Sequence, residues 1–122
     1  MRLESLRTLL LGNNRIAQVV LSAIERDEEK LLFPNLSMLD MANNSLTVIP
    51  AAVSELQATL SVLNLSGNIG IVQLPPEIGL LNKLWNLNLR GCSLQEPLRT
   101  MIESRKYKTM DIVGYLKSIL EE

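Results

Sequence analysis

The stretch Leu36-Ser-Met-Leu39-Asp-Met41-Ala-Asn-Asn44-Ser-Leu46 constrains the fold more than any other part of this 122-residue chain. It reads as LxxLxLxxNxL, with Met41 in the third apolar slot. The pattern returns three times: as Leu6, Leu9, Leu11, Asn14 and Ile16; as Leu60, Leu63, Leu65 and Asn68; and as Leu84, Leu87, Leu89, Cys92 and Leu94. Its first slots lie 30, 24 and 24 residues apart. Alternation through Leu9 and Leu11 makes a short strand with its leucines on one face, leaving Thr8, Leu10 and Gly12 on the other. Such a strand has unpaired edges, and only a neighbour about 4.8 Å away in the next repeat satisfies them. Repetition therefore predicts a parallel sheet with one strand per unit.

This is the leucine-rich-repeat pattern. The expected fold class is α/β: a right-handed leucine-rich-repeat solenoid, a horseshoe segment with a parallel four-stranded concave sheet and a C-terminal capping helix. Repeats are expected over 1–35, 36–59, 60–83 and 84–97, with the helical cap over 98–122. Asn14, Asn44 and Asn68 recur at the slot where the chain turns. Their amides can bond backbone groups in their own turn and the adjacent one, which predicts a buried ladder. Cys92 takes that slot in the last repeat, where it reads as a buried structural cysteine, since nothing cationic stands near it in sequence.

The segments between strands differ. Val48-Ile-Pro50-Ala-Ala-Val53-Ser-Glu-Leu56 parallels Gln73-Leu-Pro75-Pro-Glu-Ile78-Gly-Leu-Leu81. In each, the residue before proline is held extended and proline opens a helical turn. The residues four and seven positions after Ile49 and Leu74 then point inward. Repeat three has an additional residue, which Gly70 absorbs as a bulge, leaving Ile71 in the core slot that Leu46 fills earlier. The return segment of repeat one is six residues longer than the others. Val19, Val20, Ala23 and Ile24 have helical spacing there, and Glu25-Arg-Asp-Glu-Glu-Lys30 follows as a solvated convex bulge. Leu31, Leu32 and Phe33 return to the core.

After Pro97 the pattern changes. Leu98, Met101 and Ile102 predict one or two helical turns, and the basic link Arg105-Lys-Tyr-Lys108 follows. Thr109 or Asp111 is expected to cap a final helix in which Ile112, Val113, Leu116, Ile119 and Leu120 share one face. An open array exposes the core edge of its last repeat, so this helix should cover it. No comparable cover precedes Leu6. The face carrying Leu3, Leu6 and Leu9 should be partly open, and the chain reads as a piece of a longer protein.

Chemistry is poorly provided for. The chain has no histidine and one cysteine, which removes the commonest general base, the usual zinc spacings and the Cys–His nucleophile. No catalytic, cofactor-binding or metal-binding residue is assigned, and no cofactor is expected. The string Ser66-Gly-Asn-Ile-Gly70 lacks the spacing and the lysine of a phosphate loop. A net charge of −1 argues against a nucleic-acid partner. No apolar run approaches the roughly 20 residues that cross a bilayer, and the N-terminus lacks the form of a secretory signal. A lone cysteine forms no disulfide-bonded end cap, which points to the cytoplasm. Three Asn-x-Ser strings, starting at Asn35, Asn43 and Asn64, match the glycosylation acceptor only because the repeat is itself rich in these residues.

What remains is a binding surface. The outward strand positions read Thr8, Leu10, Gly12; Met38, Asp40, Ala42; Val62, Asn64, Ser66; and Asn86, Asn88, Arg90, with Trp85 beside the last row. Met38, Val62 and Trp85 are apolar where solvent is expected, a sign of a contact patch. The candidate protein-binding surface is therefore Met38, Asp40, Val62, Asn64, Trp85, Asn86, Asn88 and Arg90.

The C-terminal third is more specific. Leu74-Pro-Pro-Glu-Ile-Gly-Leu-Leu-Asn-Lys-Leu-Trp85-Asn-Leu, followed by Lys108-Thr-Met-Asp-Ile-Val-Gly-Tyr-Leu-Lys-Ser-Ile-Leu120, resembles the end of the repeat domain in leucine-rich-repeat kinases of the Roco family. That resemblance implies an interaction arm that precedes a Roc GTPase domain, a COR dimerisation domain and a kinase. The parent would be a cytosolic, GTP-regulated, ATP-dependent serine/threonine kinase, often homodimeric, and the arm's partners would be proteins and neighbouring domains. Neither GTPase nor kinase lies in this chain. Two other readings stay open on the residues alone: a kinase-free intracellular adaptor of Ras-type signalling, whose terminal helix has a similar form, and the sensor arm of an immune receptor.

Overall fold

The computed structural model describes residues 3–25 and 28–121. The elements in chain order are β1 (Thr8–Leu10), β2 (Ser22–Glu25), β3 (Glu28–Leu31), β4 (Met38–Asp40), β5 (Val62–Asn64), β6 (Asn86–Asn88), α1 (Leu98–Glu103) and α2 (Thr109–Leu120). Strands β1, β4, β5 and β6 form one parallel sheet in that order, pairing Leu9 with Leu39, Leu39 with Leu63 and Leu63 with Leu87. The register is the repeat register, because a one-residue slip would turn every leucine to water. Leu36, Leu46, Leu60, Leu63, Leu65 and Ile71 are fully buried behind the sheet. Between strands, Ala51–Leu56 and Pro76–Leu80 form 3₁₀ turns. Val53, Leu56, Ile78 and Leu81 point inward from them or just beyond. Ile71 takes the core slot of Leu46, as the bulge at Gly70 requires.

Each turn after a strand repeats one backbone device. Asn13, Asn43, Gly67 and Gly91 occupy the same slot, one residue before the ladder position, and all four have φ between 55° and 81°. Asparagine and glycine are the residues that enter this left-handed region at least cost, which explains their alternation there.

The ladder is built on Asn44 and Asn68. The Asn68 amide donates to Met41 O in the preceding repeat and to Leu65 O in its own, each at 2.9 Å, while its Oδ1 accepts Leu46 N–H at 3.1 Å. Asn44 likewise donates to Leu11 O and Met41 O and accepts Ile16 N–H. Each of the two residues thus ties its own turn and makes one donated and one accepted bond to the preceding repeat. Asn14 differs from expectation for that reason: its amide bonds only Leu11 O and Gly12 O, and it is exposed. With no earlier repeat behind it in the described residues, it is a turn residue rather than a buried rung.

Cys92 fits the same logic. Its Sγ donates to Leu65 O at 3.2 Å, matching one of the two donors that an asparagine would supply. The bond that an asparagine oxygen would accept from Ile71 is not missed, since the bulge lets Ile71 N–H bond Asn68 O at 3.1 Å within its own turn.

The long return segment of repeat one is not helical. β2 and β3 pair antiparallel, Ser22 with Leu31 through Glu25 with Glu28, and Leu32 N–H closes the base on Leu21 O at 2.9 Å. The helical spacing of Val19, Val20, Ala23 and Ile24 misleads because three of the four are β-branched and lose rotamer freedom in a helix. No proline opens a helical turn here as Pro50 and Pro75 do, and the longer segment doubles back on itself. The side chains of the charged stretch 25–30 lie outside the described residues. Leu31 and Phe33 pack against the end of the core.

At the other end α2 packs against the 3₁₀ turn Pro76–Leu80 of repeat three and reaches β6 through Thr109. Ile112 and Leu116 are buried and Val113 is half-buried, whereas Ile119 and Leu120 remain 37% and 38% exposed. The five-residue apolar face is thus only partly used, because the helix runs past the edge of the core. Its backbone comes very close to Gly79: a Cβ placed there would stand 2.3 Å from Lys117 N and 2.5 Å from Lys117 Cα. The two expected caps divide their work. The Asp111 carboxylate accepts the Lys108 N–H at 2.7 Å, closing the first turn of the helix, while Thr109 Oγ1 accepts Leu87 N–H at 3.1 Å and so covers part of the sheet edge instead. At the N-terminal end Leu3 is exposed and Leu6 and Leu9 are half-buried.

Candidate protein-interaction surface

The sheet register sorts the outward residues into rows. Thr8, Met38, Val62 and Asn86 stand side by side in the first row, and Leu10, Asp40, Asn64 and Asn88 in the second. Gly12, Ala42, Ser66 and Arg90 follow two residues further on. The candidates Met38, Asp40, Val62, Asn64, Asn86, Asn88 and Arg90 therefore share one face, set by backbone pairing between repeats.

The second row carries a shared local bond. Asp40 Oδ1 accepts Ala42 N–H at 3.0 Å, Asn64 Oδ1 accepts Ser66 N–H at 3.1 Å, and Asn88 Oδ1 accepts Arg90 N–H at 3.1 Å. These side chains finish their strands by tying down the residue two positions on. Among the described residues the second carboxylate oxygen of Asp40 and the side-chain NH2 groups of Asn64 and Asn88 carry no bond, so they can meet a partner. The row is part scaffold and part contact.

The apolar residues are not equal. Met38 and Val62 are half-buried among their neighbours, whereas Trp85 is 68% exposed. Trp85 immediately precedes β6, one residue before the first row, and its backbone N–H donates to Ser61 O at 3.0 Å. It flanks the face rather than lying within its rows. Leu10, in the second row, is 64% exposed. The outward parity of a leucine within Leu9-Leu10-Leu11 is the signal that adds it to the apolar set.

Comparison with known proteins fits this geometry. The Leucine Rich Repeat family matches residues 35–56, the strand and turn of the second repeat. Over 120 residues, 98% of this chain, the sequence is 46% identical to the leucine-rich repeat serine/threonine-protein kinase 1 of Caenorhabditis elegans. The chain is a leucine-rich-repeat segment of the Roco-kinase type. The protein of the same name from Mus musculus is 36% identical over 91 residues, 75% of the chain. The segment spans 5% of the length of the first relative and 4% of the second.

Leucine-rich-repeat domains mediate protein–protein interaction. No helix among the described residues is long and apolar enough to cross a membrane. The Cys92 thiol is half-buried, and desolvation raises its pKa above the ordinary value, with a bond from the Asn68 backbone offsetting part of the effect. It stays protonated at neutral pH, the state that donates to Leu65 O.

Proposed function

We propose that this repeat segment is a protein-interaction arm of a larger cytoplasmic signalling protein, and that its concave face docks a protein partner or a neighbouring domain of the same parent. The observation that carries this reading is the juxtaposition of Leu10, Met38 and Val62 with free amide groups of Asn64 and Asn88 on one face, and Trp85 at its margin. Mixed apolar and polar groups on a rigid sheet suit a protein surface better than a small ligand. By its likeness to the kinases named above, the segment precedes a Roc GTPase domain in a GTP-regulated, homodimeric serine/threonine kinase. There it serves as a scaffold or regulatory arm that shields the kinase until a partner displaces it.

The test is quantitative capture of proteins from cell extract by the wild-type segment and by a variant carrying Met38→Glu, Val62→Glu and Trp85→Glu. The substitutions are at the surface, so circular dichroism should be unchanged while the specifically captured set falls by about tenfold or more. Equal capture by a folded variant would remove the concave face from the reading.

A further inference from the structure

Among the described residues β6 is the last strand of the sheet, and no strand pairs with its outer edge. In each earlier repeat two amides point to the following strand with the same spacing. Leu11 and Asn13 donate to Asp40 O and Ala42 O, Met41 and Asn43 to Asn64 O and Ser66 O, and Leu65 and Gly67 to Asn88 O and Arg90 O, all at 2.7–2.9 Å. The equivalent donors in the last repeat are Leu89 N–H and Gly91 N–H, and neither has a partner among the described residues. Thr109 covers only the Leu87 amide.

Beside these donors lies a cleft of about 320 Å³, walled on one side by β6 and on the other by the link between α1 and α2. Arg90, Arg105 and Tyr107 line it, together with the side chains of Asn86 and Asn88, and no acidic residue does. Neither guanidinium has an ion-pair partner among the described residues; the ion pair found there is Arg99 with Glu103, outside the cleft.

Arg105 is also costly where it stands. It is the second residue after α1, where the chain reverses, and its φ is +58°. That position after a helix is usually glycine, because a Cβ is strained in the left-handed region. Arginine is held there against local preference, at the mouth of the cleft, and such outliers gather at functional sites.

We infer that this edge receives an extended acidic peptide as a fifth strand, its carbonyls on Leu89 N–H and Gly91 N–H and its carboxylates on Arg90 and Arg105. Strand addition supplies affinity through main-chain bonds, and the arginines select the charge. The occupant is a protein segment rather than a free anion, since the open donors keep strand spacing. The cleft shares Asn86, Asn88 and Arg90 with the concave face but none of the apolar residues Leu10, Met38, Val62 and Trp85 on which the partner reading rests.

A short peptide of alternating glutamate and threonine tests this, with its glutamine counterpart as the neutral control. Fluorescence anisotropy should show saturable binding of the acidic peptide alone, and amide NMR shifts should centre on Leu89 and Gly91. Arg90→Gln combined with Arg105→Gly should weaken binding by about tenfold or more. Arg105→Gly relieves the positive φ, so the melting temperature of that single variant should not fall, separating lost recognition from lost folding. Equal binding of the two peptides overturns the assignment. So does undiminished binding by the double variant, or binding whose shifts spare Leu89 and Gly91, the behaviour of a diffuse anion patch. A neutral concave variant, Met38→Ser with Val62→Ser, should bind the acidic peptide like wild type, which distinguishes this site from the apolar rows of the partner face without adding charge beside the cleft.

Discussion

Replacing Asn68 by alanine is expected to lower the unfolding free energy by about 3–5 kcal/mol, the largest effect of any single polar substitution in the chain. Asn68 is completely buried, and its side chain holds three backbone groups belonging to two successive repeats. Removing it leaves Met41 O, Leu65 O and Leu46 N–H without partners in an apolar interior. Each unsatisfied buried group costs roughly 1–3 kcal/mol. Asn68→Asp should be as damaging, since its oxygens would face two carbonyls that now receive hydrogen bonds. Asn14→Ala supplies the contrast: the same consensus slot, but exposed and bonded only within its own turn, so the loss should stay below about 1 kcal/mol. Urea denaturation of the three variants reads these differences. Equal effects at positions 14 and 68 would mean that the ladder does not join the repeats.

Gly79→Ala is the second large effect, with an expected loss of about 2–3 kcal/mol. The sign comes from two opposing contributions. Alanine in place of glycine ordinarily stabilises by roughly 0.4–1 kcal/mol, by restricting the unfolded chain, where the native backbone accepts it. Gly79 has no positive φ, so its local conformation raises no objection. The objection is the backbone of α2: Lys117 N at 2.3 Å and Leu116 C at 2.9 Å from the added Cβ cannot yield as a flexible side chain would. The helix must shift away, opening the packing of Ile78, Ile112 and Leu116. Gly114→Ala, on the same helix with open space around it, should instead stabilise by about 0.5–1 kcal/mol. A thermal melt in which both variants gain stability would show that α2 does not rest on the 3₁₀ turn.

The repeat architecture was legible because burial demands it at fixed intervals. Leu36, Leu39, Met41, Asn44 and Leu46 announce a strand and a turn, and the same slots three more times announce a sheet. The inward positions after Ile49 and Leu74 follow from proline geometry. Less legible were features that depend on what lies next to a residue rather than on its own slot. Asn14 carries the consensus identity, but burial of its amide requires an earlier repeat. Val19, Val20, Ala23 and Ile24 fit a helical face, yet so short a run does not separate helix from strand by periodicity alone, and the chain forms a hairpin. Thr109 has the identity of a helix cap, but a neighbouring strand claims its hydroxyl. The outward rows were readable from alternation, down to the shared face of Met38, Val62 and Asn86. The local bonds that occupy Asp40, Asn64 and Asn88 were not, because they involve amides two residues away. The edge cleft was hidden more deeply, since Arg90 and Arg105 meet only when α1 and its turn fold back over β6.

Amide hydrogen exchange of the intact chain tests most directly whether the four segments stack in register and stop at β6. The expected result is slow exchange at Met41, Asn43, Leu65 and Gly67, whose N–H groups pair with the following strand, and fast exchange at Leu89 and Gly91, which have no partner among the described residues. Fast exchange at Met41 and Leu65, or protection at Leu89 and Gly91 equal to theirs in the free protein, would contradict the parallel stack.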